Sequence, residues 1–241
     1  MIDFNLPAPI SLISEKDDMF SGNLDHYFGV GKSAMINIIQ TLNLAKCGPP
    51  KNILDLPCGH GRVMRYLREK FPDAALTGCD LDFDAVDYCG QVFGSKMVYS
   101  RKDIWNLHLD EKYDLIWCAS LLTHIDKQLW PEFFRFFHRH LAHNGVMIFS
   151  THGRLSAQWL RTKSQKYGLE EMDIPSMMYS YRETGFGYLH YPGCSDYGIS
   201  VSSPDWIIKE LLLLPDIRIC YFMESGLDNH QDVFAFIKTS P

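Results

Sequence analysis

A turn containing two glycines stands early in the chain, between a short apolar segment and a helix-like segment. Its sequence is Asp55-Leu56-Pro57-Cys58-Gly59-His60-Gly61. Glycine lets a backbone approach a ligand closely, and a helix N-terminus presents free N–H groups. A dinucleotide-binding turn would have glycine or alanine three residues after Gly61, where this chain has Met64. The turn therefore indicates a bound cofactor and disfavours a dinucleotide.

Acidic residues follow the turn at spacings that suit a nucleoside. Asp80 ends the second apolar segment about twenty residues later, where an acidic residue binds ribose hydroxyls. Asp103 and Ile104 follow the third segment, where an acidic residue can meet an adenine amino group. Each aspartate alone would be explained as a helix cap or turn residue, as we expect for Asp82. Asp55, Asp80 and Asp103 at these spacings together indicate a nucleoside cofactor.

The elements that must position these residues alternate along the chain. We predict strands over 52–56, 75–79, 97–100, 113–118 and 146–150. Helices are predicted over 33–44, 62–70, 83–93, 130–141 and 204–214. Strands alternating with helices predict a parallel α/β sheet with helices on both faces. Residues 1–31 are predicted to be irregular, and 217–222 with 233–238 to form a final antiparallel strand pair.

Composition narrows the class of protein. The 241 residues are 46% hydrophobic and 22% charged, which excludes disorder and coiled coil. A net charge of −6 gives no general attraction to nucleic acid. The seven cysteines contain no C-x-x-C pair, so we expect buried thiols in a reducing compartment rather than disulfides. With neither a signal peptide nor an apolar stretch long enough to span a bilayer, a cytoplasmic location is expected.

The chain resembles the class I S-adenosylmethionine-dependent methyltransferases. The resemblance rests on 55–61, Asp80, Asp103-Ile104 and 113–120, and covers roughly residues 50–152 and the final strand pair. It implies a seven-stranded Rossmann-like sheet in the order 3-2-1-4-5-7-6 with strand 7 antiparallel. It also implies one domain over 1–241, with a helical cover segment over 1–50 and an acceptor-pocket insertion over 151–203. S-adenosyl-L-methionine is the expected cofactor.

The resemblance also implies roles for individual residues. Asp55 and the turn hold the methionine moiety, Asp80 binds ribose, and Leu81 packs on adenine. Asp103 and Ile104 contact the adenine edge, and Ala119 and Ser120 line the wall near the sulfonium. An aromatic residue at Tyr27 closes over the cofactor in similar enzymes, although simple packing explains it equally well. The expected cofactor residues are Tyr27, Asp55, Pro57, Cys58, Gly59, Gly61, Asp80, Leu81, Asp103, Ile104, Ala119 and Ser120.

Three histidines follow or precede strands at the edge where an acceptor should sit. His124 follows strand 4, His152 follows strand 5, and His230 precedes strand 7. Ligands of open α/β sheets bind outside the carboxyl ends of the strands. A hydroxyl acceptor must lose its proton, and neutral imidazole is a suitable base near pH 7. We expect His152 or His230 to act as the base, and favour a capping or hydrogen-bonding role for His124. No metal is expected, because the spacing of a metal site is absent.

The insertion should cover the acceptor. Its aromatic side chains suit sugars or small aromatic compounds, although we expect Trp159 and Phe186 to belong to the insertion's own core. Arginines such as Arg182 could hold an anionic group. Residues 151–153 and 228–232 resemble those of bacterial methyltransferases associated with surface-glycan and secondary-metabolite pathways. The expected acceptor residues are Tyr181, Arg182, Tyr191 and Asp228.

Several functions remain open. The leading hypothesis is O-methylation of a sugar or another small hydroxyl compound, with no nucleic-acid partner. An N- or carboxyl-methyltransferase with the same cofactor is the first alternative. A nicotinamide-dependent oxidoreductase is disfavoured by Met64 and by the terminal strand pair. A non-catalytic partner subunit is disfavoured by the intact Asp55, Gly59, Gly61 and Asp80.

Overall fold

Nine strands form two sheets in the computed structural model, which describes residues 1–239. Seven strands form the main sheet in the order β3-β2-β1-β4-β5-β9-β8, in which β9 runs in the direction opposite to the other six. The remaining two form a separate hairpin. The predicted strand order, with its last strand inserted antiparallel, is confirmed. The strands are β1 Asn52–Asp55, β2 Ala75–Asp80, β3 Lys96–Tyr99, β4 Tyr113–Cys118, β5 Leu141–Thr151, β6 Phe186–His190, β7 Gly198–Ser202, β8 Ile217–Leu227 and β9 Gln231–Lys238.

Helices cover both faces of the sheet and bury one apolar cluster on each. Ile38 of the first helix packs in one cluster, and Phe134 and Ile207 pack in the other. None of the helices described between residues 1 and 239 is long and apolar enough to cross a membrane. The helices are α1 Leu24–Leu44, α2 Met64–Lys70, α3 Phe83–Phe93, α4 Trp130–His140, α5 Arg154–Thr162, α6 Ile174–Thr184 and α7 Pro204–Leu211.

Helix α1 begins at Leu24, earlier than the predicted Ser33, so the prediction of irregular structure up to residue 31 is wrong at its end. Asn23 caps the helix, since its side chain accepts a hydrogen bond from the N–H of His26 at 3.0 Å. A Cβ atom at Gly31 would lie 2.5 Å from the Tyr66 ring. The glycine that suggested a break therefore serves close packing of α1 on α2.

The segment between β5 and α7 contains α5, α6 and the β6–β7 hairpin. The hairpin was not predicted, because its short strands carry glycines and mixed polar residues without clear alternation. Its second strand is tied to the end of β5, where the N–H of Ser202 donates to the carbonyl of His152 at 2.8 Å. The insertion is therefore anchored at the edge of the sheet where the histidines were expected.

A tight turn joins β8 to β9. Asp228 and Asn229 both have positive φ, at 55° and 51°, and the N–H of His230 donates to the carbonyl of Leu227 at 3.0 Å. This is the geometry of a type I′ hairpin turn, whose twist matches that of the strands. Asp and Asn tolerate such angles better than most residues. The turn therefore presents His230 at the same end of the sheet as the end of β5.

The N-terminal segment is fastened across α2 by the fully buried side chain of Arg65. Its guanidinium donates to the carbonyls of Ile10 and Leu12 at 2.6 and 2.8 Å, and to the hydroxyl of Tyr27 at 3.1 Å. The Tyr27 hydroxyl in turn donates to Asp17 at 2.5 Å. A buried cation is tolerable only when it is fully hydrogen-bonded. These contacts satisfy Arg65 and hold residues 10–17 against α2.

Replacing Arg65 with methionine is expected to lower the free energy of unfolding by about 3 kcal/mol. The substitution keeps the bulk but leaves the Tyr27 hydroxyl and the carbonyls of Ile10 and Leu12 with fewer partners, and breaking a buried polar network costs about that much. Urea unfolding measures the change. Arg182→Met is the matched control, because Arg182 is exposed on α6 and should change stability by less than about 0.5 kcal/mol. Equal effects in the two variants would contradict a special role for Arg65.

Candidate active site

The glycine turn after β1 forms a polar cradle. Asp55 is 2% exposed, and its Oδ2 has no hydrogen-bond partner among the described residues. Burial, aided by the charge of Asp80, raises the pKa of Asp55 well above its ordinary value. Gly59 has a φ of +47°, and a Cβ atom there would meet nothing within 4 Å. An unpaired buried carboxyl beside open backbone is an arrangement that a bound polar ligand would complete.

Asp80 at the end of β2 braces this cradle. Its Oδ2 accepts a hydrogen bond from the N–H of Gly59 at 2.8 Å, and its Oδ1 accepts one from the N–H of Asp82 at 3.1 Å. Each oxygen keeps further acceptor capacity, as a carboxylate has about four lone-pair positions. The side chain of Leu81 is 53% exposed beside it, although leucine is usually buried. These positions agree with the ribose and adenine roles that the resemblance implies.

The other predicted cofactor residues differ in whether they are exposed, buried or already hydrogen-bonded within the protein. Asp103 accepts hydrogen bonds from Arg101 and Asn106, and Ile104 is buried in the apolar cluster on the α4 face. Pro57 is partly exposed in the turn, and Cys58 is buried. Gly61 has a φ of +77°, and a Cβ atom there would meet the Phe93 ring at 2.2 Å, so this glycine serves packing.

The side chain of Tyr27 is buried and hydrogen-bonded, so it is not free to close over a cofactor in this structure. Its side chain is 1% exposed, and its hydroxyl is engaged by both Arg65 and Asp17. Its ring packs edge-on against Phe20 and Phe28. In this structure Tyr27 is part of the buried network under the N-terminal segment, as the packing alternative expected.

A hydrogen-bonded group links the end of β4 to β9. The backbone N–H of Ser120 donates to Ser150 Oγ at 2.9 Å, and Ser150 Oγ donates to Gln231 Oε1 at 2.6 Å. The amide of Gln231 donates to Ser120 Oγ at 3.0 Å. Ser120 has a φ of 58°, in the left-handed region. Gln231 therefore links the β4 loop, which was expected to line the sulfonium, to the start of β9.

Strand β7 sets the orientation of two histidines. The Nδ1 of His124 lies 2.8 Å from the carbonyl of Gly198, and the Nδ1 of His152 lies 3.3 Å from the carbonyl of Ser200. Because a carbonyl only accepts, each Nδ1 carries the proton and each Nε2 is left as an acceptor. The insertion thus selects the tautomer of both imidazoles. The prediction of a hydrogen-bonding role for His124 agrees with this geometry.

His230 lies among aromatic rings. Its ring centroid is 5.2 Å from that of His152 and 5.0 Å from that of Trp159, and both pairs are stacked. Its Nε2 is 2.7 Å from the hydroxyl of Tyr167. We expected Trp159 to belong to the insertion's own core, and this expectation is wrong because its ring stacks on His230. Phe186 packs instead on Trp130 and Trp206 in the cluster on the α4 face, so the expectation for it is also wrong.

Burial keeps these imidazoles neutral. It lowers the pKa of His152 to about 3, with further lowering by the charges of His230 and His124. The pKa of His230 is also lowered by burial, while the nearby charge of Asp228 opposes the shift. His124 shows the same direction for the same reason. At neutral pH all three rings are uncharged and able to accept a proton or hydrogen bond.

The expected acceptor residues are only partly brought together. Tyr191 places its hydroxyl 3.3 Å from His124 Nδ1, which brings it to the histidines. Asp228 pairs with His26 of α1 at 3.0 Å, on the side of the hairpin turn facing that helix. Arg182 is exposed and pairs with Glu183. Tyr181 is half-buried on α6, where burial raises the pKa of its hydroxyl. Arg182 is thus not directed at the histidines by any described contact.

Sequence reasoning missed Ser150, Gln231 and Tyr167. Ser150 and Gln231 carried a usable signal, since polar residues that end one buried strand and begin its neighbour must meet at the sheet edge. Tyr167 carried none, because its partner His230 is 63 residues away and the contact depends on the path of the insertion.

Comparison with known proteins agrees with this geometry. Residues 32–185 match a family model described as a methyltransferase domain. A malonyl-[acyl-carrier protein] O-methyltransferase of Bacillus anthracis is 29% identical over 186 residues, which are 75% of this chain and 65% of that protein. The match therefore spans somewhat less than two thirds of that relative's length.

Solved structures share the fold at low sequence identity. An S-adenosylmethionine-dependent methyltransferase from Clostridium acetobutylicum superposes with a TM-score of 0.58 at 16% identity, covering 91% of this chain and 94% of that one. Magnesium protoporphyrin IX methyltransferase from Synechocystis PCC 6803, solved with bound SAH, gives 0.59 at 13% identity and covers 91% of each chain. Because the family model covers more than half of the chain, the protein belongs to the methyltransferase domain family, and the prediction of a class I S-adenosylmethionine-dependent methyltransferase is confirmed.

Proposed function

We propose that this protein transfers the methyl group of S-adenosylmethionine to a hydroxyl group of a small molecule. The observation that carries the proposal is the pair of stacked, neutral imidazoles of His152 and His230, at the sheet edge where Gln231 bonds to Ser120. A hydroxyl acceptor needs a nearby group that takes its proton, and neutral imidazole meets that need. The surrounding indole and phenol rings of Trp159 and Tyr167 are also uncharged, which suits a neutral acceptor.

The cradle fits the cofactor. The unpartnered Oδ2 of Asp55 would accept from the ammonium of the methionine moiety, and the open backbone at Gly59 leaves room for it. Asp80 would hold the ribose hydroxyls with its remaining lone pairs, and the exposed Leu81 would lie on the adenine. Arg62 directly follows the turn, and its guanidinium, 5.9 Å from the centroid of the Tyr27 ring, would be the cation for the methionine carboxylate.

The residues of this chain supply alignment and a proton acceptor. The bound cofactor supplies an electrophilic methyl group on sulfur and leaves as a thioether. His152 keeps its Nε2 free to orient the acceptor hydroxyl, because Ser200 fixes its Nδ1 proton. His230 takes the hydroxyl proton as the oxygen–carbon bond forms. Burial lowers the pKa of both rings, but the nearby charge of Asp228 opposes the shift at His230, so we assign His230 as the base. Holding the reactants in line supplies much of the acceleration.

A sugar is the hydroxyl compound that we propose as the acceptor. Aromatic faces with polar tips suit the alternating apolar and hydroxyl surfaces of a sugar, and Tyr191, Tyr197 and Trp159 stand around the histidines. The glycan association rests on the resemblance of 151–153 and 228–232 and on these rings. The curated relatives give it no support, since their printed activity is on malonyl-[acyl-carrier protein].

Carboxyl methylation is the second candidate, and the relatives favour it. A malonyl thioester ends in a carboxylate, which needs no base when it attacks a methyl group. A site for such an acceptor would instead need a cation that holds the carboxylate. Arg154 is exposed near α5 but is held by Glu224 through contacts of 2.7 and 2.8 Å, so it would have to exchange that partner for a carboxylate acceptor.

A panel of acceptors distinguishes the two candidates. The purified protein is incubated with S-adenosylmethionine and, in separate reactions, catechol, methyl glucoside and a malonyl thioester, and S-adenosylhomocysteine is quantified. We expect turnover with a hydroxyl compound and little with the malonyl thioester. Turnover with the thioester alone would move carboxyl methylation ahead. Product formation without any acceptor is the background that each reaction must exceed.

A further inference from the structure

Tyr167 makes a direct contact with the base assigned above. Its hydroxyl lies 2.7 Å from Nε2 of His230, and the two ring planes are inclined by only 12°. The ring of Tyr167 also lies 4.8 Å, centroid to centroid, from that of His152. Its segment joins α5 to α6, within the insertion that covers the histidines. The contact therefore connects the insertion to the hairpin turn that carries His230.

The backbone at Tyr167 is strained. Its φ is +53°, in the left-handed region that large side chains rarely adopt, and Gly168 follows with a φ of +78°. A glycine or asparagine would adopt the Tyr167 conformation more easily. Strain of this kind persists where the surrounding structure holds it, and it concentrates at functional sites. The turn itself does not require a tyrosine at position 167. The side chain therefore has another role.

We propose that Tyr167 is a positioning residue, whose hydroxyl accepts a hydrogen bond from Nε2–H of His230 and so leaves Nδ1 of that imidazole free to take the acceptor proton. The inference rests on the proposed function, in which His230 is the base. A base oriented by a third group is the usual arrangement for a histidine that must keep one nitrogen unprotonated. No described contact gives Nδ1 another protein partner, which leaves it available to the acceptor.

The surroundings of Tyr167 suit this role. Burial raises the pKa of Tyr167 to about 12, so its hydroxyl stays protonated at neutral pH. Ser156 stands beside Tyr167, and its Oγ is buried without a hydrogen-bond partner among the described residues. The Tyr167 hydroxyl can therefore donate towards Ser156 while it accepts from His230. When His230 gains a proton on Nδ1, its Nε2–H contact is kept, and stacking against Trp159 holds the ring in place.

Histidine tautomers can be measured directly. The protein is prepared with 15N-labelled histidine, saturated with S-adenosylhomocysteine and examined by NMR, with His230→Ala identifying the signals of His230. We expect His230 to be protonated on Nε2 and unprotonated on Nδ1. In Tyr167→Phe the two nitrogen signals of His230 should move towards a mixture of tautomers. The variant should also lower kcat roughly 3- to 10-fold, the effect of one neutral hydrogen bond, without changing KM for S-adenosylmethionine.

The matched control is Tyr188→Phe, which removes a tyrosine hydroxyl 3.4 Å from Nδ1 of His190 on β6, away from His230. It should leave both the His230 signals and kcat unchanged. A His230 protonated on Nδ1 in the unmodified protein, or signals unchanged in Tyr167→Phe, would overturn the inference. The NMR result needs no acceptor, so it stands apart from the proposed function. That function fails separately if His230→Ala keeps full turnover on the hydroxyl acceptor found in the panel.

Discussion

Replacing His230 with alanine is expected to lower turnover on a hydroxyl acceptor roughly 10²- to 10⁴-fold, the range typical of a lost general base. The imidazole is held at the start of β9 by stacking and by Tyr167, so alanine removes the proton acceptor without disturbing the sheet. Affinity for S-adenosylmethionine should stay close to that of the unmodified protein, because β1 and β2 are untouched. Steady-state kinetics give the first quantity and calorimetric titration gives the second.

The control for this variant is His190→Ala, which removes an exposed imidazole from the insertion. Its turnover should equal that of the unmodified protein. If His230→Ala also keeps full turnover, the acceptor loses its proton directly to water or carries none, and carboxyl methylation becomes the better reading of the site.

The pH dependence follows from the same base. Only the neutral imidazole accepts a proton, so kcat/KM should be constant at high pH and fall as pH drops through the pKa of His230. Burial lowers that pKa below the ordinary histidine value of 6.5, although Asp228 on the same turn opposes the shift. The neighbouring His152 is neutral throughout, since its pKa is about 3. The midpoint should therefore lie below 6.5, whereas the sequence alone suggested a value near that of free imidazole.

Local patterns in the sequence were enough to predict the strands of the main sheet and the glycine turn, whereas the order of the strands came from the family resemblance. The turn at 55–61 and the aspartate at the end of β2 are determined by neighbouring residues, and the structure joins them through the contact of Gly59 with Asp80. The start of α1 was mispredicted because a glycine that serves packing has the same local signature as one that breaks a helix. The stacking of Trp159 on His230 could not be predicted, since it depends on how α5 lies against the hairpin turn.

Asp80→Ala is expected to weaken the binding of S-adenosylhomocysteine on the order of tenfold to a hundredfold. A hydrogen bond to a charged group contributes about 1.5–3 kcal/mol, and 1.4 kcal/mol corresponds to a factor of ten. The substitution also removes the acceptor that holds the N–H of Gly59, so the cradle loses both a ligand contact and its brace. Calorimetric titration of the folded variant measures the change, with urea unfolding run in parallel to exclude a general loss of structure.

The Asp84→Ala variant is the control that shows whether the loss of affinity is specific to Asp80. Asp84 is an exposed carboxylate in the first turn of α3 that pairs with Lys16, so its removal changes the local charge equally but leaves the cradle intact. Its affinity for S-adenosylhomocysteine should change by less than about twofold, as expected for a surface ion pair. NAD titrated into the unmodified protein should show no binding, because Met64 occupies the position where a dinucleotide turn needs a small residue. Tight NAD binding would contradict the argument from Met64. An Asp80→Ala variant that binds S-adenosylhomocysteine as the unmodified protein does would show that the ribose lies elsewhere and that the spacing between the turn and Asp80 was misinterpreted.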